Sequence, residues 1–323
     1  MMFRWGILGT ASIAETLVAA MGRSPGNIAQ AVASRTPERA RAWAARMGIP
    51  DAYGSYDALL AAGGFDAIYV PLPNALHADW TIRALEAGYP VLCEKPLALR
   101  SEEARAVAAA AAGTGLPVAE GFMYRFHPQI ARVLELLDDG VVGRLVSIDS
   151  RFTFFEDDRS TVVASAALGG GALMDVGCYC VNLSRLLARA EPVRCVALQT
   201  GETVDDTMMG VLEFPGGVLA RFEASIARGE DHRAEIHGTE GSLILPNPWV
   251  PGTRETRIIL RRWGSPDEVF VVPGADTWRL EIEDFAAAVT AGRPPRWPLE
   301  DSVANMAVID ALFGSARATG PRR

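Results

Sequence analysis

The feature that most constrains this chain is a regular alternation over its first 120 residues. Short apolar runs without polar alternation are each closed by a turn residue and separated by segments of helical spacing. Trp5 to Leu8 ends at Gly9, and Ile28 to Ala33 ends at Ser34-Arg35. Ala67 to Val70 ends at Pro71-Leu72-Pro73-Asn74, and Val91 to Cys93 ends at Glu94-Lys95-Pro96. Leu116 to Ala119 is a further strand. Between them, helices are predicted at Ser12 to Met21 with Ser12 as cap, Pro37 to Met47, Ala75 to Ala87 stopped by Gly88, and from Ser101 onward. Strands that are apolar on both faces and joined through helices belong to a parallel sheet covered on both sides.

After about Gly121 the pattern changes. Val146 to Phe154 alternates, and later runs read as antiparallel strands. They are Val193 to Thr200, Thr207 to Phe214, Val218 to Ile226, Arg233 to His237, Ser242 to Leu245, Thr256 to Leu260 and Glu268 to Val272. Helices are expected at Gln129 to Leu137, Asp175 to Leu187, Thr277 to Ala291 and Asp301 to Ala318. The expected fold is α/β: an N-terminal Rossmann domain over residues 1–121, then an α+β domain over 122–323. The second domain is built on an open-faced, largely antiparallel sheet of about six strands, and the last helices can pack back on the first domain. A length of 323 residues suits two domains. The net charge of −8 argues against nucleic acid as a partner. No signal peptide is read at the N-terminus, and no apolar run is expected to reach the ~18 residues of a membrane span. Cys93, Cys178, Cys180 and Cys195 form neither a disulfide framework nor a zinc ribbon. A reducing, cytoplasmic setting without a metal is expected.

Lys occurs once in the chain, at Lys95, and the other 30 cations are Arg. An Arg side chain stays protonated in a protein, whereas Lys can release its proton. Lys95 follows a strand, as do the turns after Gly9, Ser34 and Pro71. Loops at the carboxyl ends of such strands share one edge, where doubly wound sheets bind ligands. Gly9-Thr10-Ala11-Ser12-Ile13-Ala14 occupies the place of a dinucleotide fingerprint, although only its first Gly is kept. At the end of the second strand stands Ser34-Arg35-Thr36, with no carboxylate for a ribose hydroxyl. A guanidinium flanked by hydroxyls suits a 2′-phosphate, so NADP is expected over NAD.

These motifs resemble the Gfo/Idh/MocA family of nicotinamide-dependent oxidoreductases over nearly the whole chain. The resemblance is carried by the Gly9-Thr10-Ala11 turn, Glu94-Lys95-Pro96 and Tyr124-Arg125-Phe126-His127-Pro128. It continues through Gly169-Gly170-Gly171-Ala172-Leu173-Met174-Asp175-Val176-Gly177-Cys178-Tyr179 and Gly238-Thr239-Glu240-Gly241. Within the family the chain is most similar to the dimeric dihydrodiol and NADP-type xylose dehydrogenases. Tyr69-Val70-Pro71-Leu72-Pro73 with His77-Ala78-Asp79-Trp80 is similar to nucleotide-sugar 3-ketoreductases. The resemblance implies a catalytic Lys95, Asp175 and Tyr179, with Tyr179 where many members have His. That departure puts inositol-type specificity in doubt. It also implies that the Lys95–Pro96 bond can be cis, and that the open sheet serves a homodimer or larger assembly. Gly9, Thr10, Ala11, Ser12, Ile13, Ser34, Arg35, Pro71, Asn74, His77, Glu94 and Lys95 would line the cofactor.

The chemistry agrees. Asp175 and Tyr179 are four apart on a predicted helix and share a face. Reducing a carbonyl leaves an alkoxide that needs a proton, and an ammonium beside Tyr179 would lower its pKa toward that task. Asp175 could orient a substrate hydroxyl or hold Lys95, and His77 could bind a sugar hydroxyl. The expected substrate is a small sugar, diol or sugar-derived ketone. A nucleotide-sugar 3-ketoreductase and a non-catalytic, cofactor-bound regulator are the alternatives. His127 and His237 are read as structural, and His232 as solvated in a charged turn. Phe152, Phe154 and Trp249 would serve a sugar face or a core equally well.

Overall fold

The structure is a computed structural model that describes residues 2–319. Two compact units are present. The first comprises the residues up to Met123 and Asp276–Val303, and the second Tyr124–Ala275 with the residues from Ala304 on.

The first unit is a doubly wound sheet. In chain order it contains β1 (Phe3–Leu8), α1 (Ser12–Arg23), β2 (Asn27–Ala33), α2 (Pro37–Met47), β3 (Asp51–Tyr53) and α3 (Tyr56–Ala62). There follow β4 (Ala67–Val70), α4 (His77–Glu86), β5 (Val91–Glu94), α5 (Ser101–Thr114) and β6 (Val118–Gly121). The six strands run in the order β3-β2-β1-β4-β5-β6, every pair parallel. β4 and β5 are buried at every residue, which is why they read as unbroken apolar runs. The order reverses between β1 and β4, and a crevice opens there beyond the carboxyl ends of the strands.

The second unit begins with α6 (Pro128–Asp138) and β7 (Leu145–Phe155). A π-helical turn over Leu173–Gly177 leads into α7 (Cys178–Ala188). The remaining strands are β8 (Arg194–Thr200), β9 (Thr207–Glu213), β10 (Leu219–Ser225), β11 (Ala227–Gly238), β12 (Ser242–Leu245), β13 (Thr256–Arg261) and β14 (Glu268–Val272). With β7 they form one sheet of eight strands, not about six, in the order β14-β13-β12-β11-β7-β10-β9-β8. Only the central β7–β10 pair is parallel. The inward residues of β8, β9 and β10 include Ala197, Met208, Leu212, Ala220 and Phe222, all buried. Their outward neighbours Val196, Leu198, Met209, Val211 and Leu219 are exposed, as are Val269 and Val271 of β14.

Gly177 lets the helix descend onto this sheet. A Cβ there would lie 3.0 Å from the Cβ of Ala224 on β10. The stretch Ala166–Ala188 is long and apolar enough to cross a membrane, with a hydropathy of 1.2, which corrects the expectation that no such run exists. It is 72% buried inside the protein, so packing onto the sheet accounts for its apolarity.

Helices α8 (Thr277–Ala291) and α9 (Leu299–Thr319) close the chain. α8 belongs to the first unit, where Ile282, Phe285 and Ala286 join the core of Trp5, Leu17, Met21 and Trp43. Arg23 pairs with Asp276 at 2.6 Å, and Ser24 donates to Glu283 at 2.9 Å, fixing α8 beside α1.

Candidate functional site

The first unit brings its expected residues to one edge of the sheet. Gly9 follows β1 with φ +117°, a conformation suited to glycine, and a Cβ there would come within 3.0 Å of Leu72. The turns after β1 and β4 therefore touch at the switch point. Thr10, Ala11, Ser12 and Ile13 carry the chain into α1. Ala11, not Ser12, is the N-cap, and no side chain caps this helix start. The correction matters chemically, because the first amides of α1 are left to face a phosphate.

Ser34 is buried at the end of β2, and Arg35 beyond it is exposed. The sequence reading overlooked a second cation there. Thr36 caps α2 by accepting from the Arg39 amide, and Arg39 Nε donates to Thr10 Oγ1 at 2.8 Å. Tyr56 lies near both guanidiniums, since Arg35 and Arg39 each draw its pKa down against the opposing effect of burial. The signal was available: Pro37 at the start of α2 places Arg39 in its first turn, over the same edge as Arg35. A glycine with positive φ, an uncapped helix start and two arginines fit a dinucleotide that carries an additional phosphate.

At the ends of β4 and β5 the roles differ from expectation. Pro71 is buried, and Asn74 opens a short 3₁₀ turn that runs into α4. His77 was expected to reach a substrate hydroxyl. Instead it is 1% exposed, with Nδ1 at 2.7 Å from the Pro96 carbonyl and Nε2 at 2.6 Å from the Leu72 carbonyl. The ring ties the two loops together. Burial, helped by the Lys95 charge, pushes its pKa down to about 4, although both carbonyls favour the cation. Near neutral pH the ring is uncharged and donates one hydrogen bond.

Glu94 is likewise turned inward. Its Oε1 accepts from the Tyr69 hydroxyl at 2.7 Å and its Oε2 from the Lys95 amide at 3.3 Å. Lys95 is part-exposed at the strand end, and the Lys95–Pro96 bond is cis.

The second unit carries a further set of the expected residues. Asp175 lies in the π-helical turn and is the part-exposed position among buried neighbours, while Tyr179, one turn on, is 8% exposed. The ring of Tyr179 packs against Tyr124 at 5.7 Å, Phe152 at 5.3 Å and Trp249 at 6.0 Å between centroids. Phe152 stacks on Trp249 at an interplanar angle of 5°, and Trp249 Nε1 donates to the Arg151 carbonyl. Tyr124 donates to Asn182 Oδ1 at 2.7 Å, which holds that wall against α7. Aromatic rings so placed present an apolar face beside a phenol.

His232 corrects the reading of a solvated turn. β11 begins at Ala227 and not near Arg233, so His232 pairs with Phe152 across the sheet at 4.5 Å between rings. His127 caps α6 by accepting from the Gln129 amide, and His237 contacts Ser242 across β11 and β12.

Comparison with known proteins agrees with this architecture. Residues 3–122 match the model for the oxidoreductase family with an NAD-binding Rossmann fold, and residues 130–244 match the GFO/IDH/MocA C-terminal domain. A D-xylose 1-dehydrogenase (NADP(+)) from Haloferax volcanii is 41% identical over 98% of this chain and 97% of its own. The trans-1,2-dihydrobenzene-1,2-diol dehydrogenase of Mus musculus is 33% identical over 78% of this chain and 77% of its own. A 3-ketoreductase from Actinomadura kijaniata, solved with NADP and TDP-benzene, superimposes with a TM-score of 0.91. It is 33% identical, with 98% of each chain covered. The chain belongs to the Gfo/Idh/MocA family of oxidoreductases.

Proposed function

We propose that the protein is an NADP-dependent oxidoreductase that interconverts a hydroxyl and a carbonyl on a sugar, diol or sugar-derived ketone. One observation carries the reading. A part-exposed carboxylate, Asp175, and a phenol, Tyr179, stand one helical turn apart beside an aromatic wall, in a chain that also has a dinucleotide-binding edge.

Gly9, Thr10 and the α1 amides would hold the pyrophosphate, while Arg35 and Arg39 would hold the 2′-phosphate. When bound, the nicotinamide supplies or accepts the hydride. In the reductive direction Tyr179 gives its hydroxyl proton to the oxygen that becomes negative. Lys95 favours the resulting phenolate and lowers the cost of that transfer. Asp175 orients a neighbouring substrate hydroxyl, and Phe152 and Trp249 cover the apolar face of the ring. Further support comes from the Actinomadura kijaniata relative. It has been solved as variants of one lysine and one tyrosine, separated by the same number of residues as Lys95 and Tyr179. His77 and Glu94 then act beneath the site, holding the loops that carry Lys95 and Pro96.

A steady-state screen of aldoses, diols, ketosugars and a TDP-ketosugar with NADP⁺ and NADPH tests this reading. Turnover is expected with a free sugar or diol. Turnover confined to the TDP-ketosugar would favour the 3-ketoreductase reading, which the likeness to the Actinomadura kijaniata enzyme motivates. No turnover with any class would contradict both.

The exposed sheet face is the proposed contact for a second copy of the chain. Its outer strands carry apolar side chains, and its centre carries opposite charges in pairs, such as Arg221 with Asp149 and Arg233 with Glu235. A surface with both signs interleaved can meet itself about a two-fold axis. All four cysteines are free thiols, which supports a reducing, cytoplasmic setting.

A further inference from the structure

The helix that bears Asp175 and Tyr179 starts without a capping side chain of its own. Three consecutive glycines, Gly169-Gly170-Gly171, precede it, and its first residues offer no side-chain cap. Orphan amides at a buried helix start require an acceptor from elsewhere. Asp205, in the loop between β8 and β9, supplies two. Its backbone carbonyl accepts from the Ala172 amide at 2.7 Å, and its Oδ2 accepts from the Leu173 amide at 2.7 Å.

The glycines make room for this arrangement. Gly171 has φ +114°, and a Cβ there would lie 2.1 Å from Asp205 Oδ1. A Cβ on Gly170 would lie 2.2 Å from the Val163 carbonyl. The turn is a slot that admits the carboxylate, and a side chain in it would expel Asp205.

The loop that carries Asp205 is itself fixed on both flanks. The Asp206 amide donates to the Thr200 carbonyl at 2.8 Å, and its own carbonyl accepts from Ile226 at 2.9 Å. The Asp206 carboxylate pairs with Arg159 at 2.7 Å. Asp205 is 3% exposed. Its carboxylate meets the Leu173 amide, with Asp206 as the charge that opposes it. Burial is costly for a carboxylate, and the Leu173 amide is the partner that offsets it.

We propose that Asp205 is a positioning residue: it caps in trans the helix that carries Asp175 and Tyr179, and so sets where those two groups stand. This deepens the reading of Tyr179 as proton donor and rests on it. Asp175 lies two residues beyond the capped amide of Leu173, within the π-helical turn. Releasing the cap frees that turn to revert to α-helical winding, which rotates Asp175 and Tyr179 relative to the sheet. Misplacement by about 1 Å at a reacting group can cost on the order of a hundredfold in rate.

The test uses the full-length protein with NADPH and its best ketose or aldose substrate. Asp205→Ala removes the side-chain acceptor, and Asp205→Asn restores a neutral one of the same shape. Three results are expected for Asp205→Ala. Turnover falls by about tenfold or more, affinity for NADPH stays within about twofold, and amide hydrogen exchange in a peptide spanning residues 171–178 speeds by at least about tenfold. Asp205→Asn should recover most of the protection and most of the turnover. If Asp205→Ala fails to fold, Asp205→Val takes its place, because it fills more of the vacated space and offers no side-chain acceptor.

Turnover within twofold of wild type in the Ala or Val variant would overturn the proposal. So would lost turnover with unchanged exchange at 171–178. A Tyr179→Phe control separates the two claims. Normal turnover in that variant would refute the role of Tyr179, whereas the exchange measurement judges the cap alone.

Discussion

His77 makes a prediction whose sign is set by the structure. The ring is fully buried between the Leu72 and Pro96 carbonyls, and its pKa lies at about 4 against 6.5 for an exposed histidine. Unfolded chains take up a proton as pH falls through 6.5, while the folded ring resists it until about 4. Between those values the unfolded state binds more protons, so acidification destabilises the fold. Each pKa unit corresponds to about 1.4 kcal/mol, so the full gap amounts to roughly 3 kcal/mol, lost progressively from pH 6.5 to 4. Other groups titrate over the same range, and a His77→Gln variant cancels them. The assay is urea denaturation of both proteins at pH 7, 5.5 and 4.5. Wild type should lose about 2–3 kcal/mol more than the variant across that range. A wild type that gains stability relative to the variant on acidification would refute the reasoning. It would mean that the folded ring is an imidazolium donating to both carbonyls, with its pKa raised.

Arg35→Ala and Arg39→Ala should each weaken NADP(H) by about tenfold while leaving NAD(H) within about twofold, the loss of one charge-assisted bond; titration calorimetry with both cofactors distinguishes this from a general loss of affinity. Sedimentation equilibrium at micromolar concentration should show a dimer or larger species. Leu198→Glu, which places a charge on the exposed sheet face, should shift it to monomer without changing the circular dichroism spectrum.

The legible parts of the sequence were those with a local cause. β4 and β5 read as apolar runs because both their faces are buried, and Gly9 reads as a turn because its φ is positive. β3 and α3 were missed: β3 is three part-buried residues, too short for any period to register. The sheet of the second unit was undercounted as a sheet although its strands were seen one by one, because the pairings that join them through β7, with β10 on one side and β11 on the other, link segments about 70 or more residues apart. The site divides in the same way. Lys95, Asp175 and Tyr179 stood out by residue type and motif. The inward turn of His77 and Glu94 depended on which carbonyls and hydroxyls the fold would bring to them. The contacts of Arg39 and Asp205 were invisible for a related reason, although the place of Arg39 in the first turn of α2 was readable. One acts through a side-chain contact to Thr10 across the β1–β2 edge, the other through a cap supplied from 32 residues away.

The central claim is that the single lysine of this chain works with Tyr179 in proton transfer, and Lys95→Arg tests it most directly. The substitution keeps a positive charge at the end of β5 and replaces a compact ammonium that can deprotonate with a planar guanidinium that cannot. Turnover of the preferred sugar or diol is measured beside NADPH affinity and thermal stability. A folded variant that binds NADPH normally and loses at least about a hundredfold in turnover is the predicted result. Near wild-type turnover in that folded, cofactor-binding variant would contradict the account.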